Sequence, residues 1–284
     1  MTLRWLLLLA CLAPAACAPP TARTDKHVPL FARVPYEPFS SQAVVAIALR
    51  EWRLFGQPVD DELPSNRPTP MPEDKPERQP GLWQRVGEYW WIGLNPDTLE
   101  TNWTGMHDSD GNVFPASNDG NFAWSAAFIS YVMRIAGAGP NFPYAADHAE
   151  YINAAARKAG RFINAAAHTA GNADTNWVVT AERPSQYAPR PGDLICMGRV
   201  GARSLLFDDL PVAGHFPAHC DIVVDTAVPR QIAVIGGNVD DAVTLKHVPV
   251  TTDGKLATPD GAVLDTRYPW MVVLRVAPLQ PPLS

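Results

Sequence analysis

Asn121-Phe-Ala-Trp-Ser125-Ala-Ala-Phe-Ile-Ser-Tyr-Val132 is apolar on almost every side, and that property decides the fold. A helix over residues 123–136 with this pattern has no solvent face, so other elements must cover it all round. Asn118-Asp119-Gly120-Asn121 supplies a turn or cap before it, and Gly137-Ala-Gly-Pro140 stops it. Ser125 falls in the first turn, where backbone N–H groups lack partners and the helix dipole favours negative charge.

Downstream of Pro191 the period changes to that of strands. Asp193-Leu-Ile-Cys-Met197, Cys220-Asp-Ile-Val-Val-Asp225, Gln231-Ile-Ala-Val-Ile235, Val243 to Val250 and Trp270 to Val276 are short, β-branched and separated by turn residues. Helices first and strands second predict an α+β fold, with the buried helix packed on a mostly antiparallel sheet of about five strands. Upstream, Ser40 or Ser41 caps a helix through Leu54 that stops at Gly56. Seven prolines from Pro58 to Pro80 then exclude helix interior and central strand, which predicts an exposed connector. Trp83, Val86, Trp90 and Leu94 restore a helical stripe, and a further helix is expected from about Ala146 to Lys158, with Ala-rich residues 161–169 as its extension past Gly160. The expected organisation is an N-terminal helix at 39–56, a connector at 57–80, a main α+β domain at 81–278 and a tail at 279–284.

The first residues carry one positive charge at Arg4, a short apolar run and small residues before Cys17, which is the pattern of a secretion signal over 1–17. Ala15-Ala16-Cys17 looks like the end of a bacterial lipobox, although Pro14 departs from the usual Leu. On that reading Cys17 is lipidated, Ala18 favours the outer membrane, and 18–38 is a Pro-rich tether. Ordinary cleavage near Ala13-Pro14-Ala15 would give a soluble periplasmic protein instead. A net charge of −6 without a Lys/Arg cluster argues against a nucleic-acid partner. Of four cysteines, Cys196 and Cys220 lie in the folded part. An exported pair can oxidise, and these two end one strand and begin the next, so they are a candidate disulfide.

Three segments carry the chemistry: the helix that starts near Ser125, the turn Pro191-Gly-Asp193, and His219-Cys-Asp-Ile-Val-Val224 followed by Val234-Ile-Gly-Gly-Asn238. Their order resembles that of the papain-like CHAP and NlpC-type cell-wall amidases and endopeptidases, whose nucleophile is a Cys. The resemblance implies Ser125 as nucleophile, His219 as base and Asn238 as the residue that orients the imidazole, with Trp124 and Asp193 as candidate substrate contacts. It also implies peptidoglycan, or an envelope protein, as the partner, and no cofactor; membrane attachment is expected from the lipid anchor at Cys17, and no metal is expected. The Trp-Ser-Ala-Ala-Phe-Ile-Ser run is similar as well to a proteobacterial lipoprotein family, domain of unknown function 2272, in which the serine would be a family trait.

The serine matters energetically. A free thiol costs roughly 2 kcal/mol to deprotonate at neutral pH, at about 1.36 kcal/mol per pH unit from a pKa near 8.5, and a hydroxyl lies several units higher. Ser125 therefore needs a general base and stabilisation of its oxyanion. Plainer roles remain open for each residue: packing or capping for Ser125, a backbone bond for His219, and a turn at positive φ for Asn238. So do a non-catalytic binding protein and a serine esterase. Zinc at His215, His219, Cys196 and Cys220 is disfavoured because Pro217 breaks helical spacing. Cys220 as nucleophile is disfavoured because neighbouring strand residues face opposite ways. His148, near a helix start, reads as a surface or capping residue, with a place at the rim of the site as the lesser alternative. Asp108-Ser-Asp110-Gly-Asn112 lacks the spaced ligands of an EF-hand and reads as an Asx turn.

Overall fold

Four α-helices precede a six-stranded sheet among the described residues, 38–68, 70–160 and 177–277 of a computed structural model. Helix α1 (Ser41–Leu54) starts where Ser40 Oγ accepts from Ala43 N at 3.1 Å. Helix α2 (Leu82–Gly93) starts after Gly81, whose N–H donates to Gln84 Oε1 at 2.7 Å. Every residue of α3 (Ser125–Ile135) from Ser125 to Met133 is buried, as an all-apolar helix requires. Helix α4 (His148–Lys158) is capped by Asp147, whose Oδ1 accepts from Ala149 N at 2.9 Å.

The strands are β1 (Val179–Glu182), β2 (Leu194–Gly198), β3 (Ala218–Asp225), β4 (Gln231–Val239), β5 (Ala242–Pro249) and β6 (Trp270–Val276). They lie in the order β1-β6-β2-β3-β4-β5, and every neighbouring pair is antiparallel. Strand β1 is the addition to the expected set. It has four residues, of which Val179 and Ala181 alone are fully buried, too short a signal for alternation to register.

The sheet separates two cores. Cys196, Cys220, Ile222, Ile235 and Leu274 pack with Phe128, Ile129 and Val132 of α3. Ile195, Val223, Val234, Val248 and Val273 point the other way, against Leu256, Tyr268 and Trp270. Strand β4 comes so close to α3 that a Cβ on Gly237 would stand 2.6 Å from Phe128 Cβ. Only a residue without a side chain fits there.

The Pro-rich connector is largely exposed, as expected, but a few of its side chains tie it to the sheet. Val59 bridges Leu245, Arg67 pairs with Asp60 and Asp240, and Lys75 Nζ meets Asp241 Oδ2 at 3.3 Å. Prolines exclude α-helix and central strand here, leaving three short 3-10 turns at Pro64–Asn66, Pro72–Asp74 and Pro76–Arg78, and do not prevent side chains from tying the segment to the β4–β5 turn. Helix α1 shares the α3 core through Val44 and Ala48. The expectations for 1–17, Cys17, the tether, the extension past Gly160 and the tail lie outside the described residues, apart from Pro38. No helix among the described residues is long and apolar enough to cross a membrane.

Candidate active site

Three chemical side chains stand at the starts of elements. Ser125 is the first residue of α3, His148 the first of α4, and His219 the second of β3. Trp124 provides no side-chain cap for α3, and the first N–H to donate back along the helix is that of Phe128, to Trp124 O at 2.9 Å. The preceding N–H groups, on Ser125, Ala126 and Ala127, form the positive end of the helix around the serine.

The Ser125 hydroxyl meets His148 Nε2 at 2.7 Å. On its other side, His148 Nδ1 meets the Tyr151 hydroxyl, three residues on and on the same helix face. Ser125 and His148 are each 4% exposed and Tyr151 is fully buried. Burial foremost, then the neighbouring His219 and Arg199, hold the His148 imidazole well below its ordinary pKa, against the pull of Asp221. Burial, with Asp147 and Asp221 nearby, holds the Tyr151 phenol well above its own. Both groups are therefore neutral at pH 7.

The second imidazole is held differently. His219 Nε2 meets Asp221 Oδ1 at 2.9 Å, and Asp221 Oδ2 pairs with Lys246 Nζ at 2.6 Å. Lys246 is 1% exposed and lies over the rings of Tyr268 and Trp270 at 4.7 and 5.7 Å. Burial would raise the Asp221 carboxyl, but Lys246 and then His219 outweigh it and keep the group well below the usual carboxylate range. Burial lowers His219, opposed by Asp221 and reinforced by Lys246 and Arg199. The two imidazole rings lie 5.4 Å apart. Opposite them on β4, a Cβ at Gly236 would fall 1.9 Å from Asp221 Oδ1 and 3.0 Å from His219 Nε2, so the carboxylate occupies the space of a missing side chain.

The expected triad is thus rearranged. Ser125 bonds His148, not His219, and His219 bonds Asp221, not Asn238. Asn238 takes φ +54° beside a break in the β4–β5 register and makes no side-chain hydrogen bond among the described residues. That is its turn role. Trp124 is fully buried, stacked on Phe55 and donating to Glu77 Oε2 at 2.6 Å, so it presents no surface to a substrate. Asp193 is equally committed: its carboxylate accepts from Val276 N and Arg190 N, both at 2.8 Å, and from Tyr187 OH at 3.0 Å, pinning β6 to the turn before β2.

Cys196 and Cys220 face each other in the β2–β3 register and are joined by a disulfide with Cα atoms 4.1 Å apart. Thus neither is a zinc thiolate nor a nucleophile while the bond is intact. Among the described residues no group of three or more His, Cys, Asp or Glu is placed to hold a metal ion. Asp108 Oδ1 accepts from Asp110 N and Asn112 N at 2.9 Å, closing an Asx turn. The sequence did carry a signal for Asp221, two residues after His219 and so on the same strand face. For His148 the signal was only the Asp147 cap and the Tyr151 spacing.

No curated protein and no solved structure matches the chain. Over residues 77–276 it matches the family described as "Uncharacterized protein conserved in bacteria (DUF2272)", and the chain belongs to that family.

Proposed function

We propose that this chain is a cell-envelope hydrolase of papain-like plan that cleaves an amide or peptide bond of peptidoglycan by acyl transfer through Ser125. One observation carries the reading: a serine at the uncapped start of a buried helix lies 2.7 Å from one imidazole, and a second, carboxylate-backed imidazole lies 5.4 Å from the first. Ser125 Oγ attacks the acyl carbon as its proton passes to His219 Nδ1, which makes no hydrogen bond to Oγ in the resting structure and must close on it when substrate binds. The N–H groups of the first turn of α3 stabilise the oxyanion. His219 then protonates the leaving amine, and water, deprotonated by His219, hydrolyses the acyl-enzyme. Asp221 takes the orienting role expected of Asn238. The substrate class and the placement in the envelope, with Cys17 as lipid anchor, rest on the sequence resemblance.

A second reading, a binding lipoprotein for peptidoglycan or an envelope protein, is favoured by burial. Ser125 is 4% and His219 3% exposed, while cavities of about 570 and 530 Å³ lie elsewhere, one beside Arg134, Tyr144 and Trp177 and one beside Tyr187, Arg230 and Lys255. An esterase would use the same residues. Intact mass after treatment with a fluorophosphonate separates these readings, on full-length protein in detergent and its Ser125→Ala and His219→Ala variants. A single adduct on Ser125, lost in both variants, supports acyl transfer, and turnover of muropeptides or of activated esters then identifies the bond. An unmodified Ser125 rejects it in favour of binding, to be measured on isolated sacculi.

A further inference from the structure

Tyr151 and His148 have no part in the steps above, yet they hold the Ser125 oxygen. Among the described residues, His148 Nδ1 is the hydrogen-bond partner that the fully buried Tyr151 hydroxyl has. A buried phenol proton without an acceptor is costly. If His148 carried its proton on Nδ1, that N–H would point at the phenol oxygen and leave the phenol proton stranded. The phenol therefore donates, Nδ1 accepts, and the proton of the neutral ring sits on Nε2, facing Ser125 Oγ.

Hydrogen accounting on the other histidine gives the same tautomer with the opposite consequence. Asp221, ionised against Lys246, can only accept, so His219 Nε2 carries the proton. The unshared pair of His219 is then on Nδ1, which makes no hydrogen bond among the described residues. Donation runs one way from Tyr151 to His148 to Ser125, so His148 cannot take the serine's own proton, and the lone pair on His219 Nδ1 is the one left unshared between the two imidazoles.

We infer that His148 is a catalytic hydrogen-bond donor to the nucleophile and not its base, and that Tyr151 is the positioning residue that fixes this by donating to His148 Nδ1. The inference rests on the acyl-transfer reading of Ser125. As the proton leaves Oγ, the developing charge on Oγ is met by the His148 Nε2–H, and no proton moves on His148. This charge-assisted bond strengthens as the alkoxide forms, which is the condition for a contact to lower a barrier.

Two measurements test it. Long-range proton–nitrogen NMR of the full-length protein, labelled with ¹⁵N-histidine, reads each tautomer without requiring activity. His148 is expected as the neutral Nε2–H form in wild type and to lose that single form in Tyr151→Phe, while His219 stays unchanged. A His148 proton on Nδ1 in wild type overturns the inference whether or not the serine reacts. The second measurement is the rate of fluorophosphonate labelling. Glutamine at 148 can donate but cannot act as a base, so His148→Gln is expected to stay within about tenfold of wild type, and His148→Leu to fall about a hundredfold. Equal loss in both variants, with wild type reactive, overturns the donor role. A wild type that does not label rejects the acyl-transfer reading, and with it the catalytic part of the inference, while NMR still decides the tautomer.

Discussion

His148 and His219, with rings 5.4 Å apart, are both buried and both depressed in pKa, but the two halves of the molecule hold them by different physics. On the helical side His148 is fixed by a neutral phenol one turn along its own helix. On the sheet side His219 is fixed by a carboxylate two residues along its own strand, and a lysine from β5 offsets that charge. A neutral bond costs little desolvation and contributes little when intact. A buried ion pair costs much and is tolerated only while both members are present. The sheet half should therefore be brittle and the helical half forgiving.

The largest effect is expected from Lys246→Met. It leaves Asp221 charged, buried and without the ammonium, which should cost about 3–5 kcal/mol in urea unfolding. Adding Asp221→Asn should recover much of that loss, because a neutral pair carries no uncompensated charge. A single-variant cost below about 1 kcal/mol would mean that the carboxylate is protonated or hydrated, and the contrast would collapse.

Gly236→Ala comes next and perturbs the sheet half without removing any polar atom. The added methyl would fall 1.9 Å from Asp221 Oδ1, so backbone or carboxylate must shift, at about 1–3 kcal/mol by the usual cost of overpacking. Histidine NMR should show His219 displaced and His148 unmoved. If both move together, the two halves are one coupled network and the division between them is wrong.

The pH dependence of stability separates the histidines from the carboxylate by pH window, since both lose stability as the pH falls but in different ranges. Each histidine is neutral in the fold, while the unfolded chain takes up a proton below about pH 6.5. Lowering the pH through that value therefore favours unfolding, by up to about 1.4 kcal/mol per pH unit per histidine, until the depressed folded pKa is reached. The stabilisation from Asp221 is fully present above the unfolded carboxyl pKa of about 3.9 and is lost only as the pH falls below it towards the lowered folded value. Urea midpoints at pH 7, 6 and 5 should thus decline in wild type and decline less in His148→Gln. An unchanged slope in that variant would mean that His148 is not held neutral.

These contrasts also explain what could be read from the chain. Periodicity carries the core: α3 is legible because no face of it is polar, and the Cys196–Cys220 pair because it lies on two consecutive strands, within the ladder and not at the strand ends that the sequence suggested. Ser125 and His219 are legible as polar residues opening apolar elements. Lys246 is not, because a lysine within Thr244-Leu-Lys-His247 has the alternation of a solvent-facing position, and its burial comes from Tyr268 and Trp270, more than twenty residues on. His148 is hidden because its bond to Ser125 spans 23 residues and two helices. Asn238 drew the orienting role through its place at a strand end, whereas Gly236 admits a carboxylate already present on β3.

His215 provides the smallest effect and the control for residue type. Its Nδ1 meets Asp147 Oδ2 beside the start of α4, one residue from His148, but its side chain is 70% exposed. Asp147 keeps its capping bond to Ala149 N through the other oxygen, so α4 and the position of His148 do not depend on His215. An exposed pair contributes between nothing and about 1 kcal/mol, because water screens it and two side chains lose freedom to make it. His215→Ala should therefore shift the urea midpoint by less than about 0.5 kcal/mol at pH 7 and leave the His148 resonances in place. A larger loss, or a moved His148, would show that the helical half also depends on an ionic contact, through the cap residue. The asymmetry would then have to be redrawn with Asp147 on the helical side facing Asp221 on the sheet side.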